Sequence, residues 1–120
     1  MSFSVSIEDD HVYVKFSGVV DGLDMVRLTA DQEYIDNMRR MQNVIYDFRL
    51  SEEVSLGEAD LKEIVLMSNL ESNFTEKANI VIIPKTIEGH ALIAAYGLAI
   101  KTPEWNVQAA QNYEEALSKI

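Results

Sequence analysis

Cysteine is missing from all 120 residues. Its absence excludes a disulfide framework, a zinc–thiolate site and a thiol nucleophile, and it fits a reducing compartment. The five glycines and two prolines build no Gly-rich phosphate loop, no linker and no low-complexity tract. Basic residues are scarce: ten Lys and Arg face twenty Asp and Glu, a formal net charge of -10. Counterion release on a nucleic acid needs clustered cations, and here they are scattered. An anionic membrane surface would repel the chain for the same reason. Uncharged ligands and proteins with basic surfaces remain as partner classes. Long apolar runs are also absent. The longest uncharged stretch, residues 91–100, falls well short of the ~18–20 residues that cross a bilayer. No basic segment followed by an apolar one opens the chain, so no signal peptide is expected. These absences predict a soluble cytoplasmic protein forming a single domain over residues 1–120. A domain of this size buries roughly two-thirds of its unfolded surface without staples.

What is present is an orderly succession of patterns. Phe3, Val5 and Ile7 alternate with Ser4 and Ser6, and Val12, Val14 and Phe16 alternate with His11, Tyr13, Lys15 and Ser17. Two period-two strands joined through Glu8, Asp9 and Asp10 make a hairpin. Gly18 reads as the end of the second strand and Asp21 as the N-cap of one long helix. Leu23, Val26, Ala30, Tyr34, Met38 and Met41 recur along that helix at helical spacing, with Arg39 and Arg40 in its last turn, where positive charge suits the dipole. Val44, Ile45, Tyr46, Asp47 and Phe48 form an apolar run with one acid, the signature of a central strand covered on both faces. Residues 49–54 read as a polar loop, Ser55 as the cap of a second helix with Leu61, Ile64, Val65, Leu66, Met67 and Leu70 on its apolar face, and residues 78–83 as another buried strand stopped by Pro84. A third helix over residues 87–100, a short strand from Trp105 to Gln108, and a last helix with Tyr113, Ala116, Leu117 and Ile120 on one face complete the chain. Strands alternating with helices after a hairpin predict an α/β domain with right-handed crossovers and a mostly parallel sheet.

The residues that carry a family likeness are the central strand of residues 44–48, the strand of residues 80–83, and the ending Trp105, Asn106, Val107, Gln108 followed by Asn112, Tyr113, Glu114, Glu115, Ala116 and Leu117. With this element order, the chain resembles the STAS domain of anti-sigma-factor antagonists. It is more similar still to the short SpoIIAA-like proteins, which share an architecture with lipid-carrying CRAL-TRIO domains. The resemblance covers nearly the whole chain. It implies a cofactor-free binding module, either a carrier or sensor of a small apolar molecule or a protein-interaction regulator. STAS members that act as phosphorylation switches carry an Asp-Ser-Ser-Gly-type run at the start of the second helix. Here Val54, Ser55, Leu56, Gly57 and Glu58 occupy that region, with one serine and no preceding Asp, so the phosphoacceptor role is not carried over.

Several residues merit attention as chemistry. Ser55 with Glu58 three residues on fits a capping box, and a phosphate there would meet Glu52, Glu53 and Glu58. Asp47 stands at a strand's carboxyl end, where α/β sheets place their sites; it reads as a carboxylate accepting loop N–H bonds. An enzyme built on Asp47, Glu53 and His90 is the remote alternative, because no nucleophile, base and orienter can be assembled. His11 is expected on the polar side of its strand and His90 at a helix edge, with no metal-ligand spacing between them. Residues 87–100 are apolar nearly all round. Such a helix is buried or meets something apolar on its second side. The expected apolar contact surface comprises Leu66, Met67, Ala91, Ala94, Ala95 and Leu98, taking a lipid-like ligand or a second copy of the chain. A partner-binding loop is expected at Ser51, Glu53, Ser55 and Glu58.

Overall fold

A computed structural model describes residues 3–55, 78–85 and 105–120. Its elements are β1 (Phe3–Ile7), β2 (Val12–Asp21), α1 (Gly22–Thr29), α2 (Gln32–Met41), β3 (Asn43–Ser55), β4 (Ala78–Ile83), β5 (Trp105–Ala109) and α3 (Tyr113–Ser118). The strands pair in the order β1-β2-β3-β4-β5, so each lies beside its predecessor in sequence. β1 and β2 are antiparallel, with Val5 opposite Val14; β3, β4 and β5 continue parallel to β2. The hairpin and the mostly parallel α/β sheet anticipated from the pattern are both present.

Alternation decides which side chains face which way. Val12, Val14, Phe16 and Val20 of β2, Val44, Tyr46 and Phe48 of β3, and Ala78, Ile80 and Ile82 of β4 form one core with Leu28 of α1 and with Tyr34 and Met38 of α2. The Phe16 and Phe48 rings stack 4.3 Å apart and 5° from parallel, and the Tyr34 and Tyr46 hydroxyls meet within this core. On the opposite face Ile45, Val81 and Ile83 pack against Ala110 and Ala116, bordered by Tyr13, Tyr113 and Ile120. β3 is thus apolar on both faces, as its unbroken run requires. In α3, Leu117 points outward at 39 % exposure, although its spacing had placed it with Tyr113 and Ala116. Asn112 caps this helix by accepting from the Glu115 N–H at 2.8 Å.

Three expectations are corrected. The long helix from Asp21 is two helices. Asp21 does cap α1: its carboxylate accepts the Asp24 N–H at 3.1 Å, and Asp24 reaches back to the Asp21 N–H at 3.0 Å, the reciprocal arrangement of a capping box. Then Ala30 and Asp31 close the helix with short-range bonds to Arg27 and Leu28. The Asp31 carboxylate starts α2 by accepting from the Tyr34 N–H at 3.0 Å. A side chain that satisfies an orphan helix donor outcompetes one more residue of helix. α2 ends at Gln42, which adopts the left-handed conformation, φ 64°, and bonds the Met38 carbonyl at 2.7 Å.

The second correction concerns Gly18. It lies inside β2 rather than at its end, with φ 68°, a conformation glycine adopts without penalty. The third follows from it. Residues 49–54 are strand and not loop, and Ser55 is the last residue of β3, in register with Asp21. Because β2 runs on past Gly18, it offers residues 50–55 a partner. The register shifts between Lys15 and Ser17 and again between Gly18 and Val19, and these bulges absorb the extra residues of β3. The second helix, expected from Ser55 as its cap, and the third, expected over residues 87–100, fall in residues 56–77 and 86–104, which lie outside the described residues.

Candidate functional site

β3 brings Asp47 to the second face of the sheet, at the carboxyl end of the β3–β4 pairing. Its carboxylate is 2 % exposed and fully engaged. Arg49, two residues on and on the same side of the strand, donates from Nε to Oδ1 at 3.0 Å and from Nη2 to Oδ2 at 2.8 Å. Its backbone N–H adds a third bond to Oδ1, at 3.0 Å. The Tyr13 hydroxyl of β2 donates to Oδ2 at 2.5 Å. Asp47 was expected to accept loop N–H bonds; it accepts one main-chain N–H, from Arg49, which lies in β3 rather than in a loop, and a fork-shaped ion pair comes with it.

The electrostatics follow from this geometry. Burial pushes the Asp47 carboxyl upward, but the bonds from Arg49 and Tyr13 outweigh it and hold the group below the usual carboxylate range. The Tyr13 phenol is pushed up to about 12, first by burial and then by its bond to the Asp47 carboxylate and that negative charge. The Arg49 guanidinium is raised by the same partnership. Its side chain remains 41 % exposed, so the pair presents one wet cationic edge over a dry anion. The Lys15 ammonium sits 5.7 Å from the Tyr13 ring centroid.

Tyr13 also links this cluster to the chain's end. Its ring lies 4.5 Å from that of Tyr113 in α3, and the Tyr113 hydroxyl is 2.7 Å from Nε2 of His11. Nδ1 of His11 is 2.6 Å from the Asp10 carboxylate. His11 is therefore buried, 3 % exposed, and not on a wet strand face as expected. Both ring nitrogens have partners, which removes the usual cost of burying them. Burial, together with the Glu8 and Asp10 charges, raises the Tyr113 phenol.

Beyond Asp47 the two long strands present apolar side chains to solvent: Leu50 at 62 %, Val19 at 52 % and, at the start of α1, Leu23 at 55 %. Leu50 is in register with Ser17, two residues before Val19. Ser51, expected in a partner-binding loop, is instead buried in β3, where its hydroxyl donates to the Phe48 carbonyl at 2.5 Å. Lys85, just past β4, donates from Nζ to the Ser51 carbonyl. Glu53 and Ser55 lie in the same strand, opposite Val19 and Asp21. Glu58, His90 and the apolar set Leu66, Met67, Ala91, Ala94, Ala95 and Leu98 lie outside the described residues. Among the described residues no group of His, Asp or Glu gathers in a metal-binding arrangement. Nor is any helix among the described residues long and apolar enough to cross a membrane.

Tyr13, Arg49, Tyr113 and Lys85 were not singled out from the sequence. One signal was present: Arg49 follows Asp47 by two residues, the spacing that puts side chains on one face of a strand. It was lost because Arg49 read as the start of a loop.

No protein-family model matches the sequence, and no curated protein does. Solved structures do match in fold. The unphosphorylated anti-sigma factor antagonist SpoIIAA superposes with a TM-score of 0.62 at 11 % identity, over 97 % of this chain and 94 % of that one. An uncharacterised protein of the DUF3478 family from Shewanella loihica, described as having a SpoIIAA-like fold, gives 0.60 at 13 % identity over 97 % and 90 %. The phosphorylated form of SpoIIAA, a Bacillus cell fate determinant, gives 0.56 at 17 % identity over 97 % and 96 %. The fold of this chain is SpoIIAA-like.

Proposed function

We propose that this chain is a non-catalytic regulatory module that acts by binding another protein, and that the contact forms at the carboxyl end of β2 and β3. The observation that carries this reading is the exposure of Leu50, Val19 and Leu23 beside the rigid Asp47–Arg49 pair. Apolar side chains held on a stiff two-stranded platform and rimmed by a fixed charge suit a protein interface. The fold shared with an anti-sigma factor antagonist makes a protein partner the natural counterpart. Glu53, Ser55 and Glu58 fall in or just after the same strand and belong to the proposed surface. The test is cross-linking in the host followed by identification of the bound protein, with wild type compared against Leu50→Asp and Val19→Asp. A partner held by wild type and lost from both folded variants supports the reading. Equal capture by all three removes it.

A second reading is kept because of one feature of the sequence, the uncharged stretch of residues 91–100. In that reading Leu66, Met67, Ala91, Ala94, Ala95 and Leu98 hold a small lipid-like molecule, or a second copy of the chain. Native mass spectrometry of the purified protein decides it. A co-purifying apolar species that solvent extraction releases supports the carrier, and its absence ends it.

A further inference from the structure

Among the described residues nothing pairs with the outer edge of the sheet at β1. β1 is a terminal strand of the described sheet. It carries no charge and no proline from Phe3 to Ile7, and it pairs with β2 without a register shift. Natural sheet edges are commonly protected from pairing by charge, proline or bulges, and β1 has none of these. Its core-side residues Val5 and Ile7 are only partly buried, as are Ile35 and Met41 of α2, the helix that packs on β1. Strand and helix together leave apolar surface at this edge.

The charges on α2 say what fits there. Glu33 and Asp36 lie in its first half, and Arg39 and Arg40 lie in its last turn; all four are exposed. A helix with acid at one end and base at the other is complementary to an antiparallel copy of itself. The helix on the other face of the sheet lacks this property: α3 carries Glu114 and Glu115 and no base in its last turn.

We propose that β1 and α2 form a docking surface for a second copy of this chain. The two β1 strands pair antiparallel about a two-fold axis at Val5 and perpendicular to the sheet. That axis keeps both α2 helices on one face and runs them antiparallel. Glu33 and Asp36 of one copy then face Arg39 and Arg40 of the other, while the half-covered Val5, Ile7, Ile35 and Met41 close over each other. Such an isologous contact is self-limiting. It also turns the contact between two strongly acidic chains from self-repelling to self-attracting. This surface is separate from the β2–β3 end proposed for a heterologous partner.

Sedimentation velocity of the full chain from micromolar to millimolar concentration tests it. Wild type is expected as a dimer of about twice the 13.6 kDa chain mass. Ser4→Glu with Ser6→Glu puts carboxylate across from carboxylate twice, at exposed positions that leave the core alone. It is expected to raise the dimer Kd about tenfold or more while circular dichroism stays native. Two further variants separate the surface from a folding defect: Arg39→Glu with Arg40→Glu, and Glu33→Lys with Asp36→Lys. Each alone is expected to be a monomer, and their mixture a heterodimer. A wild type that stays monomeric to millimolar concentration overturns the proposal. So does a Ser4→Glu/Ser6→Glu variant that dimerises like wild type, or a mixture of the charge-reversed variants that does not associate.

Discussion

Replacing Asp47 with Asn keeps the side chain's shape and removes its charge. At neutral pH the wild-type carboxylate sits 2 % exposed and takes two bonds from the Arg49 guanidinium, one from the Arg49 backbone and one from Tyr13. Hydrogen bonds to charged groups contribute a net stabilisation of about 1.5–3 kcal/mol each. Breaking a fully buried pair costs about 3–5 kcal/mol. Arg49 is 41 % exposed and rehydrates, so the cost falls to the bottom of that range or below it, and the expected loss is about 2–3 kcal/mol. The sign of the pH dependence is fixed. The folded-state value of Asp47 lies below its ordinary 3.8, so its contribution is present above the unfolded value and is lost as pH falls through the folded one. Urea denaturation should therefore show a gap between wild type and Asp47→Asn at pH 7 that narrows as the pH drops below the usual carboxylate range. Equal stability at pH 7, or a gap that does not narrow in acid, would refute the reasoning about this ion pair.

Two further outcomes follow from the same coordinates. The Tyr13 phenol, raised to about 12 from 10.0, contributes stability that is present below the unfolded value and is lost as pH rises from one value to the other. Tyr13→Phe should accordingly remove roughly 2 kcal/mol of alkaline sensitivity, and urea melts across that window that match wild type would contradict it. Gly18→Ala meets no atom within 4 Å of the added Cβ, so only the φ of 68° is penalised. The expected cost is about 1–2 kcal/mol in a denaturant midpoint shift at unchanged slope, and no shift at all would show that the bulge relaxes.

How much of this was written in the sequence varies by element. Phe3, Val5 and Ile7 against Ser4 and Ser6 is a period that admits one answer, and the hairpin was legible from it. The run of residues 44–48 announced a strand with two covered faces, and both faces are covered. The continuation to Ser55 was not legible, because Arg49, Glu52 and Glu53 resemble loop residues and two register shifts destroy the period that would have revealed a strand. The break at Asp31 was hidden by apolar spacing that continues through it; only the bond to the Tyr34 N–H shows which cap wins. His11 looked wet because its partner, Tyr113, lies 102 residues away. The Asp47 site was half legible: its position at a strand end was read, but its partners depend on the pairing of β2 with β3.

The order β1 to β5 across the sheet is also the order in which the strands leave the ribosome. Each strand emerges to find its template already exposed, so sheet growth needs no earlier strand to be displaced and no later one to be awaited. α3 emerges last, and through Tyr113 and His11 it returns to the turn that was made first. The hydrogen bond between them is thus a stitch that cannot be tied until α3 has followed all five strands.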